Sequence, residues 1–217
     1  SLITVRDNQT YELLKEMDVK NVLEIADPTL LYDFENHLRI KINKQYNLSS
    51  TKNVYISIAD EEISNKLKKY LSNNNNKIKD LFNINNKIND YFFDYFNCYS
   101  LSDIIITDRF HSSIFGLKLS TALIIGIESH KKYINKNGKI RDLFRKIGIE
   151  KYCVRSESKN DKAFIDKINY LINNWSEDEY TKRDKLFNRY LYNSKYKWSC
   201  ISKELIDIIN RSSTNMQ

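Results

Sequence analysis

The chain has 217 residues, 41% of them hydrophobic, which is enough for a soluble domain to bury a substantial core. Its net charge of +7 is spread along the sequence without a basic block, so it argues against nucleic-acid binding while suiting an anionic ligand. Three scattered cysteines and four glycines provide neither metal-ligand spacing nor a glycine-rich nucleotide loop, and no apolar run approaches the ~20 residues of a membrane span. We therefore expect a cytoplasmic protein that binds no metal.

Apolar runs that alternate with amphipathic stretches predict an α/β fold. Strands are predicted at 2–5, 22–25, 53–59, 103–107, 121–127 and 152–154. Helices are predicted at 34–46, 60–71, 90–101, 112–120, 138–148, 161–174 and 177–210, after a short first helix with Leu13, Leu14 and Met17 on its apolar face. Ser176 and Glu179 form a capping box at the start of the last helix. Because strands and helices alternate, we expect a Rossmann-like parallel sheet with flanking helices.

A polar segment follows the β-branched run 103–107, where a buried strand should turn into a helix. In an open parallel sheet, ligands bind beyond the carboxyl ends of the strands and against the N-terminus of the following helix. Arg109 offers a planar fork of donors for a carboxylate or phosphate, and His111 can exchange a proton near neutral pH. Ser112 or the serine after it can cap the helix or bind a ligand oxygen. The residue types equally allow a purely structural ion pair between Asp108 and Arg109.

Three segments resemble the polysaccharide pyruvyl transferase family. "TVRDNQTYELL" resembles the family's Val-Arg-Asp-x-x-Ser/Thr-x-x-x-Leu segment, and "IADPTLL" resembles the Asp-Pro turn that follows it. "ITDRFHSSIFGLKLSTALII" resembles the Asp-Arg-Leu-His signature, with Phe110 in place of leucine and Thr121-Ala122 in place of a common Gly-x-Pro turn. "NGKIRDLF" resembles a Gly-Lys segment seen after that signature in one branch of the family.

The resemblance implies a domain organisation as well. Family members are much longer at the N-terminus, so we expect this chain to correspond to the second half of a GT-B-like two-domain fold, with most acceptor contacts of the first domain missing. Residues 1–33 would be a remnant of the N-terminal Rossmann-like domain, and 34–50 would form a linking helix. Residues 51–176 would form the C-terminal Rossmann-like domain, and 177–217 a C-terminal helical region with a polar tail.

The resemblance further implies transfer of the pyruvyl group of phosphoenolpyruvate, as a ketal, to a sugar of a bacterial cell-surface polysaccharide. Phosphoenolpyruvate would be the donor substrate, with no other cofactor. A glycan or lipid-linked oligosaccharide would be the acceptor, which allows peripheral membrane association through that acceptor. The site residues implied are His111 and Arg109 for catalysis, and Arg6, Arg109, Ser112 and Lys139 for donor binding. Two other lysines of the same loop, Lys131 and Lys132, compete with Lys139 for this role.

Two alternatives remain open at this stage. A GT-B-type glycosyltransferase would use a nucleotide sugar and would need contacts to a base and a diphosphate. A truncated, non-catalytic paralogue would keep its binding residues without catalysis and act as a binding partner in glycan synthesis. Comparing the binding of phosphoenolpyruvate with that of a nucleotide sugar separates the first alternative from pyruvyl transfer.

Overall fold

A computed structural model describes residues 2–34, 51–74, 76–80, 96–129, 138–156 and 161–214 of the protein. The chain divides into two compact units. Unit 1 combines Ser1–Tyr32 with Phe187–Gln217, and unit 2 is the continuous segment Asp33–Leu186. The sequence-based boundaries at 33, 50 and 176 remain predictions, and most of the predicted linking helix lies outside the described residues.

Unit 2 contains a five-stranded parallel sheet. Its strands are β3 (Asn53–Ser57), β4 (Lys77–Asp80), β5 (Ile104–Thr107), β6 (Leu123–Ser129) and β7 (Cys153–Ser156), in the order β4-β3-β5-β6-β7. The interior strands are continuous apolar runs because helices cover both faces of such a sheet. The order is that of a doubly wound fold whose direction of winding reverses between β3 and β5. The predicted Rossmann-like parallel sheet is confirmed.

The helices of unit 2 follow the strands in sequence. They are α2 (Glu61–Ser72), α3 (Phe110–Leu119), α4 (Lys139–Ile147), α5 (Asp161–Asn173) and the first part of α6 (Glu177–Thr214), with a further helical stretch at 96–100. Asp60 caps α2 by accepting hydrogen bonds from two backbone N–H groups. Gly148 ends α4 in the left-handed conformation, with φ of 91°, which glycine adopts at no steric cost.

The strand β6 begins two residues later than predicted and extends two residues further. Arg183 of α6 holds the residues that precede β6. It is only 2% exposed and donates hydrogen bonds to the carbonyls of Ser120 and Ala122. Burial lowers the pKa of Arg183 to about 10. The indole ring of Trp175 lies 5.7 Å from its guanidinium and contributes a cation–π contact. Because of this shift, the strand carries Glu128 at its carboxyl end.

Unit 1 contains two short parallel strands, β1 (Ile3–Val5) and β2 (Val22–Glu24), joined by the helix α1 (Asn8–Glu16). The C-terminal part of α6 belongs to the same unit, and its Trp198 donates an indole hydrogen bond to the carbonyl of Ala26. The predicted helix is present, but the apolar face predicted for it is largely exposed, with Leu13 55% and Met17 65% exposed. Only Leu14 of that face is partly covered.

Other differences from the predicted elements are small. The strand β4 was not predicted, since its sequence Lys-Ile-Lys-Asp alternates between exposed and half-buried side chains at the edge of the sheet. The helix α3 begins at Phe110 rather than at Ser112. Residues 35–46 and 90–95 of two predicted helices lie outside the described residues. Within the described part of the chain, no helix combines the length and the apolar character needed to cross a bilayer.

Candidate functional site

The carboxyl ends of β3 and β5 meet at the point where the strand order reverses, which is where doubly wound sheets bind their ligands. Buried hydroxyls connect these strand ends. Thr107 Oγ1 donates to the carbonyl of Ser57 at 2.9 Å and accepts from the backbone N–H of Arg109 at 2.9 Å. Ser57 Oγ lies 3.2 Å from Ser112 Oγ on α3. These hydrogen bonds fix the backbone of the segment that carries Asp108 and Arg109.

Asp108 bridges the two strand ends and the guanidinium beside it. Its Oδ2 accepts a hydrogen bond from the backbone N–H of Ala59 at 3.0 Å, and its Oδ1 lies 3.4 Å from Nε of Arg109. The ion pair that the residue types allowed therefore forms. The Asp108 side chain is 17% exposed and that of Arg109 is 48% exposed, so the carboxylate supports a guanidinium that reaches the surface.

Arg109 is also the residue that precedes the first turn of α3, and no side chain caps that helix. The N-terminus of α3 therefore presents backbone N–H groups and a partial positive charge near the arginine, a combination that attracts anions. The expectation that Ser112 or Ser113 caps the helix is wrong, because the helix begins at Phe110. Ser113 instead donates its hydroxyl to the carbonyl of Phe110 at 2.7 Å.

His111 lies in the first turn of α3 with an exposed side chain. Its ring stacks near Phe115, with centroids 6.4 Å apart and planes inclined by 25°. Phe115 is itself packed against a cluster of rings from Phe34, Phe96 and Tyr99. The imidazole therefore has an aromatic ring beside it while it stays accessible from solvent.

Unlike Arg109 and His111, Ser112 is buried. It is 2% exposed, and its hydroxyl is next to that of Ser57, which is 4% exposed. The two serines are buried beneath the segment that carries Arg109 and His111, and we call them the buried floor of the candidate site. The role of Ser112 in donor binding stays a prediction.

A second charged cluster lies at the same edge of the sheet, on β6 and β7. Glu128 is 1% exposed, and its carboxylate accepts hydrogen bonds from Arg141 Nε at 2.7 Å and from the backbone N–H of Gly138 at 2.5 Å. Arg155, opposite Glu128 on β7, has its Nε 4.0 Å from the same carboxylate. Although burial works against its charge, hydrogen bonding to Glu128 raises the pKa of Arg141 above its ordinary value.

Sequence reasoning missed these three residues, because they come together only through the register of β6 with β7 and the position of α4. One signal could have found Glu128. It is the single charged residue in the run "TALIIGIES", at the carboxyl end of a strand where site residues concentrate. Its contact with Gly138 fixes where α4 begins, and hence where Lys139, the first residue of that helix, is placed.

Lys139 is exposed and lies at the carboxyl edge of the sheet, as the start of a helix that follows β6 must. Its competitors Lys131 and Lys132 lie outside the described residues. Within those residues, His, Cys, Asp and Glu side chains form no group of three or more that could hold a metal ion.

Arg6 lies in unit 1, after the carboxyl end of β1. One terminal guanidinium nitrogen (Nη1) lies 2.6 Å from Oδ2 of Asp27, which follows β2 and is 3% exposed. Burial raises the pKa of Asp27, but hydrogen bonds from Thr29 and Arg6 outweigh it, so the pKa is lower than usual. The "VRD" and "ADP" segments of the sequence therefore meet through this ion pair. Asp27 also accepts a hydrogen bond from the backbone N–H of Thr29, which stabilises its own turn.

These features define the class of protein: a Rossmann-like α/β protein with arginines at the carboxyl edge of its sheet, one of them at the switch point. Residues 1–129 match the family model described as polysaccharide pyruvyl transferase, which is more than half of the chain. The protein belongs to this family. Searches of curated proteins and of solved structures give no match.

Proposed function

We propose that this chain binds phosphoenolpyruvate at the carboxyl edge of its five-stranded sheet and takes part in pyruvyl transfer to a sugar of a bacterial cell-surface polysaccharide. Family membership supports the class of reaction. One observation carries the assignment of the site: Arg109 stands at the switch point, at the N-terminus of α3, with Asp108 supporting its guanidinium.

The donor carries a phosphate and a carboxylate, so it needs several cationic or N–H donor groups. Arg109 can bind one of these groups through two parallel hydrogen bonds, and the uncapped N-terminus of α3 offers further donors. Lys139 is a second cation at the same edge. Ser112 would act from the buried floor of the site. Arg6 belongs to the other unit, and its role in donor binding stays a prediction.

In the proposed reaction, a proton adds to the methylene carbon of phosphoenolpyruvate, and the carbon bearing the phosphate becomes oxocarbenium-like. One acceptor hydroxyl attacks this carbon, phosphate leaves, and the second hydroxyl of the same sugar closes the ketal. One of the two hydroxyl protons balances the proton gained by the methyl group, and the other leaves with phosphate. His111 would donate or accept the proton, a role that typically contributes ~10²–10⁴ in rate.

Calorimetric titration with phosphoenolpyruvate tests the site. Arg109→Ala should weaken binding about tenfold to a hundredfold, because a charge-assisted hydrogen bond contributes roughly 1.5–3 kcal/mol. Arg109→Lys should weaken it nearly as much, because a point charge cannot replace a two-pronged donor. Binding should also weaken as salt is added.

Arg145→Ala is a matched control, since Arg145 is also 48% exposed and also paired with an aspartate, but lies in the last turn of α4. Wild-type affinity in Arg109→Lys, or an equal loss in the control, would contradict the site assignment. Tighter binding of a nucleotide sugar than of phosphoenolpyruvate would favour a glycosyltransferase. Binding without phosphate release in the presence of an acceptor would favour a non-catalytic binding partner.

A further inference from the structure

Between Arg189 and Lys203, α6 in unit 1 carries cations and aromatic rings without any acidic residue. The segment from Arg189 to Lys203 reads "RYLYNSKYKWSCISK" and contains four cations and no aspartate or glutamate. Acidic residues return only at Glu204 and Asp207, which end the basic segment. A helical segment of 15 residues with this composition is long enough to act as a continuous surface.

The periodicity of the helix separates a buried side from an exposed side. Phe187, Ser194 and Ile201 are 3%, 4% and 7% exposed and form the buried side of this part of α6. Arg189, Tyr192, Tyr196 and Lys203 recur at spacings of three, four and seven residues on the opposite side, with Lys195 and Lys197 on its two flanks. We call these six residues the outer face of α6.

The two tyrosines form the crest of the outer face. Tyr192 is 73% exposed and Tyr196 is 67% exposed, although tyrosine usually buries most of its ring. The four cations around them, Arg189, Lys195, Lys197 and Lys203, are exposed. Spread over about 21 Å of helix, they make this segment positively charged, and Glu204 and Asp207 offset that charge only at its C-terminal end.

We propose that the outer face of α6 docks on the surface of a membrane rich in anionic lipids. Lysine and arginine near such a surface are attracted to its negative potential. Tyrosine is favoured at the headgroup level, where its ring meets the acyl boundary and its hydroxyl stays hydrated.

Other partners fit the same face less well. A second copy of this chain would bring two segments of charge +4 together, and like charges at an interface oppose association. Single-stranded nucleic acid is held in basic grooves with bases stacked on aromatic rings, whereas these tyrosines lie exposed on one side of a single helix. The proposal does not depend on phosphoenolpyruvate binding, because the face belongs to α6 in unit 1 and the donor site was assigned to unit 2.

Vesicle co-sedimentation of the full chain tests the proposal. One set of vesicles consists of phosphatidylcholine, and the other contains equal amounts of phosphatidylcholine and phosphatidylglycerol. We expect binding to the anionic vesicles only, decreasing as salt is added. Lys195→Gln with Lys197→Gln should weaken it about thirtyfold, since each cation near an anionic surface contributes roughly fivefold. Tyr192→Ser with Tyr196→Ser should remove the binding that persists at high salt.

The matched control is Lys162→Gln with Lys167→Gln, which removes the same charge from exposed positions of α5. All substituted side chains are exposed, so each variant should keep the unfolding midpoint of the wild type. An equal loss in the control would mean that net charge, and not the outer face, drives binding, and the proposal would fail. It would fail equally if both kinds of vesicle bound alike, or if a single-stranded oligonucleotide bound the face more tightly than the anionic vesicles.

Discussion

Arg109 and His111 are separated by one residue, yet the structure gives them different surroundings. Asp108 and the hydrogen bond from its own backbone to Thr107 hold Arg109 in place, so it is suited to binding. His111 is exposed and lies beside the ring of Phe115, so its imidazole is accessible to a substrate and to solvent. Binding and turnover should therefore respond differently to substitution at the two positions.

We expect His111→Asn to leave the affinity for phosphoenolpyruvate within about twofold of wild type and to slow phosphate release by ~10²–10⁴, the usual contribution of a general acid or base. Asparagine keeps a hydrogen-bonding group of similar size but cannot exchange a proton near neutral pH. Calorimetry measures the first effect, and a phosphate-release assay with an acceptor glycan measures the second. Unchanged turnover in this variant would show that another group supplies the proton.

Glu179 offers a test of electrostatics away from the site. Hydrogen bonds from Lys151 and Tyr152 lower the pKa of this carboxyl group to about 2. Because its pKa is lower in the folded state, its contribution is fully present above the ordinary value near 4.5 and is lost as the pH falls from there towards 2. Glu179→Gln should therefore lower the free energy of unfolding at pH 7 by about 1 kcal/mol, a modest value because the pair is partly exposed.

Urea unfolding at several pH values measures this effect. The difference between Glu179→Gln and wild type should shrink steadily below pH 4.5 and vanish near pH 2. Glu177→Gln is the control, because Glu177 is an exposed acid in the first turn of the same helix and shares its interaction with the helix dipole. A difference that stays constant down to pH 2 would mean that the carboxylate of Glu179 does not stabilise the fold.

At the scale of elements, the sequence predicted best those strands that are buried on both faces. The predicted strand 103–107 differs from β5 by one residue, because an uninterrupted β-branched run is typical of a strand that is buried on both faces. The edge strand β4 escaped prediction because half of its side chains face solvent. The start of β6 could not be predicted, since it depends on Arg183, which lies 61 residues from the carbonyl of Ala122 that it binds.

One part of the candidate site could be predicted from the sequence, and another part could not. Arg109 and His111 could be placed at a strand-to-helix junction because that junction is local in sequence. The cluster of Glu128, Arg141 and Arg155 could not, because pairing between β6 and β7 and the position of α4 bring it together. Contacts between elements remain hidden from a reading of local patterns.

Packing of α4 on β6 depends on the missing side chain of Gly126. A Cβ there would lie 2.5 Å from Cγ2 of Ile140 and 3.2 Å from the ring of Phe144. Gly126→Ala should therefore push α4 away from the sheet and cost about 1–3 kcal/mol, as overpacked cores do. Urea unfolding measures the cost, and weaker phosphoenolpyruvate binding should accompany it if Lys139 contributes to the site.

Gly116→Ala is the informative comparison. A Cβ at Gly116 would lie 2.8 Å from Cδ1 of Ile105, the far end of a flexible side chain, and 3.0 Å from Cγ1 of Ile124. Alanine is also favoured over glycine inside a helix by about 1 kcal/mol. The Gly116 variant should therefore lose less stability than the Gly126 variant. The reverse order would show that α4 tolerates displacement better than the close contact implies.

At the scale of the whole molecule, the reactivity of the three cysteine thiols measures how accessible the interior of the fold is. Cys98 and Cys153 lie in unit 2 and are 3% and 7% exposed, whereas Cys200 lies on α6 in unit 1 and is exposed. Burial, reinforced by the nearby carboxylate of Glu128, raises the pKa of Cys153 to about 12. Since the thiolate is the reactive form, Cys153 is protected both by inaccessibility and by its protonation state.

We therefore expect iodoacetamide at pH 8 to modify one thiol per native chain, at Cys200, and all three thiols in urea. Mass spectrometry of the labelled peptides identifies the positions, and Cys200→Ser provides the control in which the native chain takes up no label. Reaction of Cys98 and Cys153 should follow the unfolding transition of unit 2, because both must leave the core before the reagent can reach them. Labelling of Cys153 in the native chain at a rate near that of Cys200 would mean that β7 opens readily, and the edge of the sheet that carries Arg155 would then be too loosely held to position a ligand.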